Sequence, residues 1–182
     1  MEFLRSALLY TALFVGANAA IAQDAGQVIR DAGGADMKGL KVLDAPVPLP
    51  EATFEDGTTL AEYEGRIVVL NFWAVWCAPC REEMPTLSAL QGEFGGDDFA
   101  VVTVASGPNP APAVDKFLGE IGVDNLAVLR DPKSVLARGA GVFGLPVTVI
   151  LDRGGAEVAR LVGPADWHSD QVRGIVSALI AS

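Results

Sequence analysis

Apolar positions along this chain repeat with two periods. Arg66 to Phe72 and Phe99 to Ala105 are rich in β-branched and apolar residues, the pattern of strands buried on both faces. Val147 to Leu151 and Ala156 to Leu161 read as two further strands around Asp152-Arg-Gly-Gly155, a hairpin with a glycine-rich loop. Leu126 to Leu129 is a short fifth strand. Elsewhere the period lengthens: Met84, Leu87, Leu90 and Phe94 recur at spacings of three, three and four and mark one face of a helix. Val114, Phe117, Leu118 and Ile121 give a second helical face, and Val172, Ile175, Val176 and Leu179 a third, in a last helix beginning near Asp166. Asp131-Pro132 reads as a helix start, an acceptor side chain before a proline at the first helical position. Upstream, the proline-rich Val42 to Pro50 is expected to run extended along an edge, and Asp56-Gly57 between Thr53-Phe54-Glu55 and Thr58-Thr59-Leu60 is a hairpin signal. A compact strand, helix, strand order implies a right-handed parallel crossover, so the fold class is α/β.

The N-terminus does not share this patterning. A short start with Arg5, an apolar run from Ala7 to Val15 and small residues ending Ala20-Ile21-Ala22 form a signal-peptide layout over residues 1–22, cleaved after Ala22 or after Ala17-Asn18-Ala19. The rival reading is an uncleaved anchor, against which Ala7 to Ala22 falls short of the ~20 residues that span a bilayer. Either places the following domain outside the cytoplasm. Residues 23–43, mostly Gly, Ala and charge without a lasting period, are expected to be a flexible tether, leaving residues 44–182 as one domain. With Lys plus Arg at 13 and Asp plus Glu at 23 the formal charge is -10, which argues against nucleic acid or an anionic membrane surface as partner.

Chemistry concentrates in Trp73-Ala-Val-Trp-Cys-Ala-Pro-Cys80, which holds both cysteines of the chain. They sit where the first long strand turns into the first helix. Unpaired N–H groups and the positive end of the helix dipole favour a thiolate at Cys77. Cys80, nearly one turn on, is placed to attack any mixed disulfide formed by Cys77, and Pro79 suits a first turn that needs no N–H. Structural zinc requires four ligands, and two cysteines with the single His168 do not supply them. Transient copper(I) binding by the two thiolates stays open. Gly139-Ala-Gly-Val-Phe-Gly144 matches a dinucleotide fingerprint in letters only, because it closes a helix and precedes a strand.

At these residues the chain resembles the thioredoxin superfamily, in its extracytoplasmic branch of TlpA-like, ResA-like and CcmG-like thiol-disulfide oxidoreductases. Asn71, the Trp76 to Cys80 site, then Glu83 and Pro85 carry the resemblance, with Gly144-Leu145-Pro146-Val147-Thr148 looking like the family's cis-proline loop and Gly163-Pro164-Ala165-Asp166-Trp167 like the TlpA-type approach to the last helix. It covers roughly Asp44 to the C-terminus. It implies a thioredoxin fold, a central mixed β-sheet flanked by helices with an N-terminal β-hairpin and a TlpA-type central αβ insertion. Asn71 stands where thioredoxin has a buried acid, so Glu83 is the candidate to take the proton from Cys80; the bland alternative makes Glu82 and Glu83 ordinary first-turn acids. Leu145 and Pro146 are expected to offer backbone groups to an incoming peptide, and Trp76 to form part of an exposed apolar collar. Trp73 and Trp167 are expected in the core, Arg81 either near the Cys77 thiolate or in solvent, and His168 at the surface.

The resemblance further implies a periplasmic, cofactor-free reductase whose Cys77/Cys80 dithiol reduces copper-site cysteines of cytochrome oxidase or its copper chaperone. The alternatives are a reductant of apocytochrome c in cytochrome c maturation, a disulfide oxidant or a copper(I)-binding module. Re-reduction would come from a membrane thiol donor of the DsbD or CcdA kind.

Overall fold

The computed structural model describes residues 25–182, so the expected signal peptide or anchor lies outside the described residues. Six strands form one mixed sheet in the order β1-β6-β5-β2-β3-β4, where β1 is Leu40–Pro48, β2 Ile67–Trp73, β3 Phe99–Ser106, β4 Ala127–Asp131, β5 Val147–Leu151 and β6 Ala156–Val162. The strands β2, β3 and β4 are mutually parallel, whereas β5, β6 and β1 join by antiparallel pairing. Helices α1 (residues 25–31), α2 (Ala78–Phe94), α3 (Ala111–Glu120), α4 (Val135–Gly139) and α5 (Asp170–Ile180) cover the sheet.

Every residue of β2 and of β3 is buried, because each lies mid-sheet with a packed layer on both faces. Alternation then sorts the side chains. Ile67, Val69 and Trp73 join the core made with Met84, Leu87 and Leu90 of α2, Phe117 of α3 and Ile175 of α5. Val68, Leu70 and Phe72 join a second core closed by Leu136 and Ala137 of α4 and by Phe54. Asn71 belongs by register to the α2 side, a polar residue in the middle of an apolar stripe.

Three segments differ from expectation, each for a local reason. The Asp56-Gly57 turn closes, with Gly57 at φ +86° and Phe54 N–H donating to Thr58 O at 2.9 Å. It yields a single antiparallel bridge, Thr53 to Thr59, outside the main sheet. Thr59 immediately caps a 3-10 turn over Leu60–Tyr63 in a reciprocal capping box with Glu62, which ends any second strand. Before α4, Asp131 is an acceptor as expected, but it works from the end of β4: its two carboxylate oxygens accept the N–H groups of Val135 (2.7 Å) and Ala137 (3.1 Å). Pro132 therefore lies ahead of the helix and not at its first position.

The expected tether is the clearest correction. Residues 25–43 are packed onto the domain: α1 buries Ile29 completely, Arg30 donates to Leu43 O at 2.8 Å, and Gln171 of α5 donates to Gly33 O at 2.9 Å. β1 already begins at Leu40, against β6. Gly34 permits the close fit, since a Cβ there would stand 2.3 Å from Ile29 Cγ2. Val28 and Ile29, adjacent in a two-turn helix, leave too little periodicity to be seen in the sequence.

Candidate active site

The site is built where β2 ends. The chain turns over Ala74 to Cys77, with Cys77 N–H donating to Ala74 O at 3.0 Å, and Cys77 becomes the N-cap of α2 in an extended conformation. Val75 N–H is held by Asn109 Oδ1 at 2.8 Å, and the Asn109 amide is tied to Ser106 O, so the loop after β3 braces the turn. Asn109 carried no signal in the sequence beyond its place in a proline-rich break.

Cys77 and Cys80 are joined as a disulfide with Cα atoms 5.3 Å apart. Cys77 keeps 6% of its surface exposed and Cys80 none, so Cys77 is the more accessible residue of the pair. Cys77 is the N-cap of a 17-residue helix, the end at which unpaired N–H groups and the positive dipole end favour a thiolate. Trp76 beside it is 62% exposed, and a shallow groove runs from it past Ala78, Arg81, Phe117 and Ile121. Arg81 lies over the Phe117 ring at 4.5 Å, and Trp73 packs on the same ring from the core at 5.7 Å. A larger hollow of about 580 Å³ between Pro48 to Thr53 and Gly154 to Ala156 includes no residue of this site.

On the buried side of α2, one turn below Cys80, lies Glu83 at 2% exposure. Three N–H donors converge on its carboxylate. Asn71 Nδ2 donates to Oε1 at 2.8 Å, while Trp167 Nε1 at 2.9 Å and Ala165 N at 3.3 Å donate to Oε2. The same Asn71 Nδ2 also reaches Thr148 Oγ1 at 2.8 Å, its register partner on β5, leaving Asn71 Oδ1 buried without a partner. Among the described residues no cation pairs with Glu83. Burial pushes its carboxyl above the ordinary glutamate range, and the hydrogen bonds from Trp167, Asn71 and Ala165 oppose that push. Glu82, by contrast, is exposed.

The Leu145-Pro146 bond is cis, and Pro146 O accepts Gly163 N–H at 2.9 Å, so this loop and the turn carrying Ala165 and Trp167 are tied together. Three residues before Pro146, Phe143 stands 90% exposed, an apolar neighbour of the loop that sequence reading passed over. The structure thus assembles Cys77, Cys80 and Glu83 on one helix with Trp76 outside. Trp167 is buried as expected but is a polar participant as well as core. His168 instead bonds Glu93 at 2.8 Å near the surface.

The AhpC/TSA family model matches residues 43–157. The thiol:disulfide interchange protein DsbE of Haemophilus influenzae is 33% identical over 146 residues, covering 75% of this chain and 76% of that protein. The thiol:disulfide interchange protein HelX of Rhodobacter capsulatus is 34% identical over 125 residues, 69% of this chain; the chain spans 64% of HelX, less than two thirds of its length. Among solved structures, a protein from Chlorobium tepidum described as a putative thiol:disulfide interchange protein DsbE superposes with a TM-score of 0.64 at 30% identity, over 75% of this chain and 99% of that one. With strand order, cis-proline loop and cysteine-bearing helix all in place, the chain belongs to the AhpC/TSA family of thioredoxin-like proteins, among relatives named for thiol:disulfide interchange.

Proposed function

We propose that this protein is an extracytoplasmic thiol-disulfide oxidoreductase that reduces disulfides in client proteins. One observation carries the reading: the Cys77–Cys80 disulfide stands at the N-terminus of α2, with Cys77 keeping a sliver of exposed surface, Cys80 fully enclosed and the buried Glu83 three residues further along the same helix. In the reduced protein the Cys77 thiolate attacks one sulfur of the client disulfide, expelling the other as a thiolate. Cys80 then gives its proton to Glu83 and attacks Cys77 Sγ; the internal disulfide forms and the second client sulfur leaves and is protonated. Two electrons have passed to the client, whose two thiolates take their protons from solvent, and Glu83 holds the proton that left Cys80. The exposed Trp76 next to Cys77 in sequence, together with Leu145 and Pro146 of the cis-proline loop, is proposed to seat the client segment.

The export-like N-terminus supports a periplasmic location, soluble or anchored by that end, and no helix among the described residues is long and apolar enough to cross a membrane. Copper-site cysteines of cytochrome oxidase or its copper chaperone are the proposed clients, and apocytochrome c is the alternative; a membrane donor of the DsbD or CcdA kind is proposed to restore the dithiol. The Gly163 to Trp167 stretch that favoured the copper task supplies donors to Glu83, so it serves the dithiol whichever client is used.

Trapping tests both mechanism and client. A Cys80→Ser variant in a periplasmic extract is expected to accumulate mixed disulfides on Cys77, identifiable by mass spectrometry, with copper-site proteins among them. Cys77→Ser is expected to capture at least about ten times less. Equal capture by the two variants contradicts the assignment of attacking and resolving sulfur, and capture of apocytochrome c alone moves the client to the alternative.

A further inference from the structure

The turn between β6 and α5 does more than connect them. It folds back over α2, tied to Pro146 by the Gly163 N–H bond, to α2 by Trp167 N–H donating to Thr86 Oγ1 at 3.1 Å, and to Glu83 through Trp167 Nε1 and Ala165 N. A buried indole normally finds an acceptor for its N–H, and here the acceptor is a buried carboxylate that pairs with no cation among the described residues. Trp73 shows the contrast: equally buried, its Nε1 has no partner.

Resting on the function proposed above, we propose that Trp167 is a positioning residue for the resolving step: its indole N–H, with the Ala165 N–H, holds Glu83 in the hydrogen-bonded geometry that receives the Cys80 proton and so sets the pH range in which Cys80 attacks. The balance is simple. The proton leaves Cys80 Sγ for a Glu83 oxygen, the Cys80–Cys77 bond forms as the Cys77–client bond breaks, and the departing thiolate is protonated from solvent.

The other charged groups near this cluster face elsewhere. On α2, Glu82 and Arg81 are exposed, and only Cys77 and Cys80 share the buried side with Glu83 as titratable groups. From β2 and β5 the facing groups are the neutral Asn71 and Thr148. In the turn, Asp166 is exposed and accepts from His168 N at 3.0 Å, while the His168 ring and Arg173 of α5 are both held by Glu93. Neutral N–H donors are thus what opposes burial at Glu83, and removing one moves its proton equilibrium upward.

Two measurements decide it. In the reduced wild-type protein, the Trp167 indole N–H resonance, assigned by its loss in Trp167→Phe, is expected to titrate with the midpoint of the resolving rate; the Trp73 and Trp76 resonances are not. That rate is read as the second release of thionitrobenzoate after mixing with its disulfide dimer. In Trp167→Phe the rate midpoint is expected to rise by about one pH unit, the size of one hydrogen bond to a charged group. In a Glu83→Gln background the same replacement is expected to shift nothing. An indole resonance that stays flat through the midpoint, or a midpoint unchanged in a folded Trp167→Phe, overturns the proposal. A protein that releases no thionitrobenzoate at all defeats the proposed function instead, and the resonance titration still reports on Trp167.

Discussion

Cys77→Ser is expected to lose catalysed insulin reduction by at least about 10³-fold, down to the dithiothreitol background, because a serine hydroxyl near neutral pH does not attack a disulfide sulfur. The structure makes the loss one-sided. Cys77 is the residue of the pair with some surface left, while Cys80 is fully enclosed and cannot stand in for it. Cys80→Ser keeps the attacking group and fails later, so it is expected to give a stoichiometric burst and then stop. The outcomes differ in kind, a lost first step against a lost second step, and rapid-quench gels resolve them. A Cys77→Ser variant that retains a tenth of wild-type turnover would sink the assignment.

Glu83→Gln has the second largest expected effect, and it has two readouts. A positioned base contributes roughly 10²- to 10⁴-fold to a proton transfer, so the resolving rate at neutral pH is expected to fall about 100-fold while formation of the Cys77 mixed disulfide changes little. The second readout is stability against pH. Burial raises the folded-state value of Glu83 above the unfolded one, so over the interval between them the native state holds the extra proton. The associated stability is fully present at low pH and is lost as pH rises through the folded value. Glutamine does not titrate, so the decline of unfolding free energy above the ordinary glutamate range is expected to flatten in the variant. The amide also presents an NH₂ to donors that had a carboxylate, which costs about 1–3 kcal/mol at all pH values; the slope, not the offset, is therefore diagnostic. Denaturant titrations of the reduced proteins from pH 4 to pH 9 check it, and parallel curves would remove Glu83 as the proton acceptor.

How much of this was legible in the sequence depended on whether a residue's role follows from its type. The central strands were plain because β2 and β3 are buried on both faces, which makes them predominantly apolar and β-branched. The buried faces of α2 and α5 appeared at their 3.6-residue spacing, since Met84, Leu87, Leu90, Val172, Ile175, Val176 and Leu179 all meet the core. Cys77 and Cys80 stood out because their type and spacing are their chemistry. Glu83 was reachable only through family resemblance: nothing in its own neighbourhood of letters says that a residue one turn below Cys80 is buried. The role of Trp167 was invisible for the opposite reason, because tryptophan near a helix start reads as core, and its polar edge matters only once Glu83 is seen facing it from 84 positions away. Asn71, polar within an apolar run, was the available clue to that cluster. α1 escaped because its docking rests on Ile29, Val28 and the small Ala25, too few large apolar positions for a period to stand out.

The most direct measurement of the central claim is a redox titration of the purified protein in defined dithiothreitol and glutathione buffers, with free thiols counted by alkylation and mass. The account predicts one cooperative two-electron transition in which Cys77 and Cys80 open and close together, reversible in both directions. Thiols that stay free under mild oxidant, or a disulfide that exchanges with neither buffer, would contradict it.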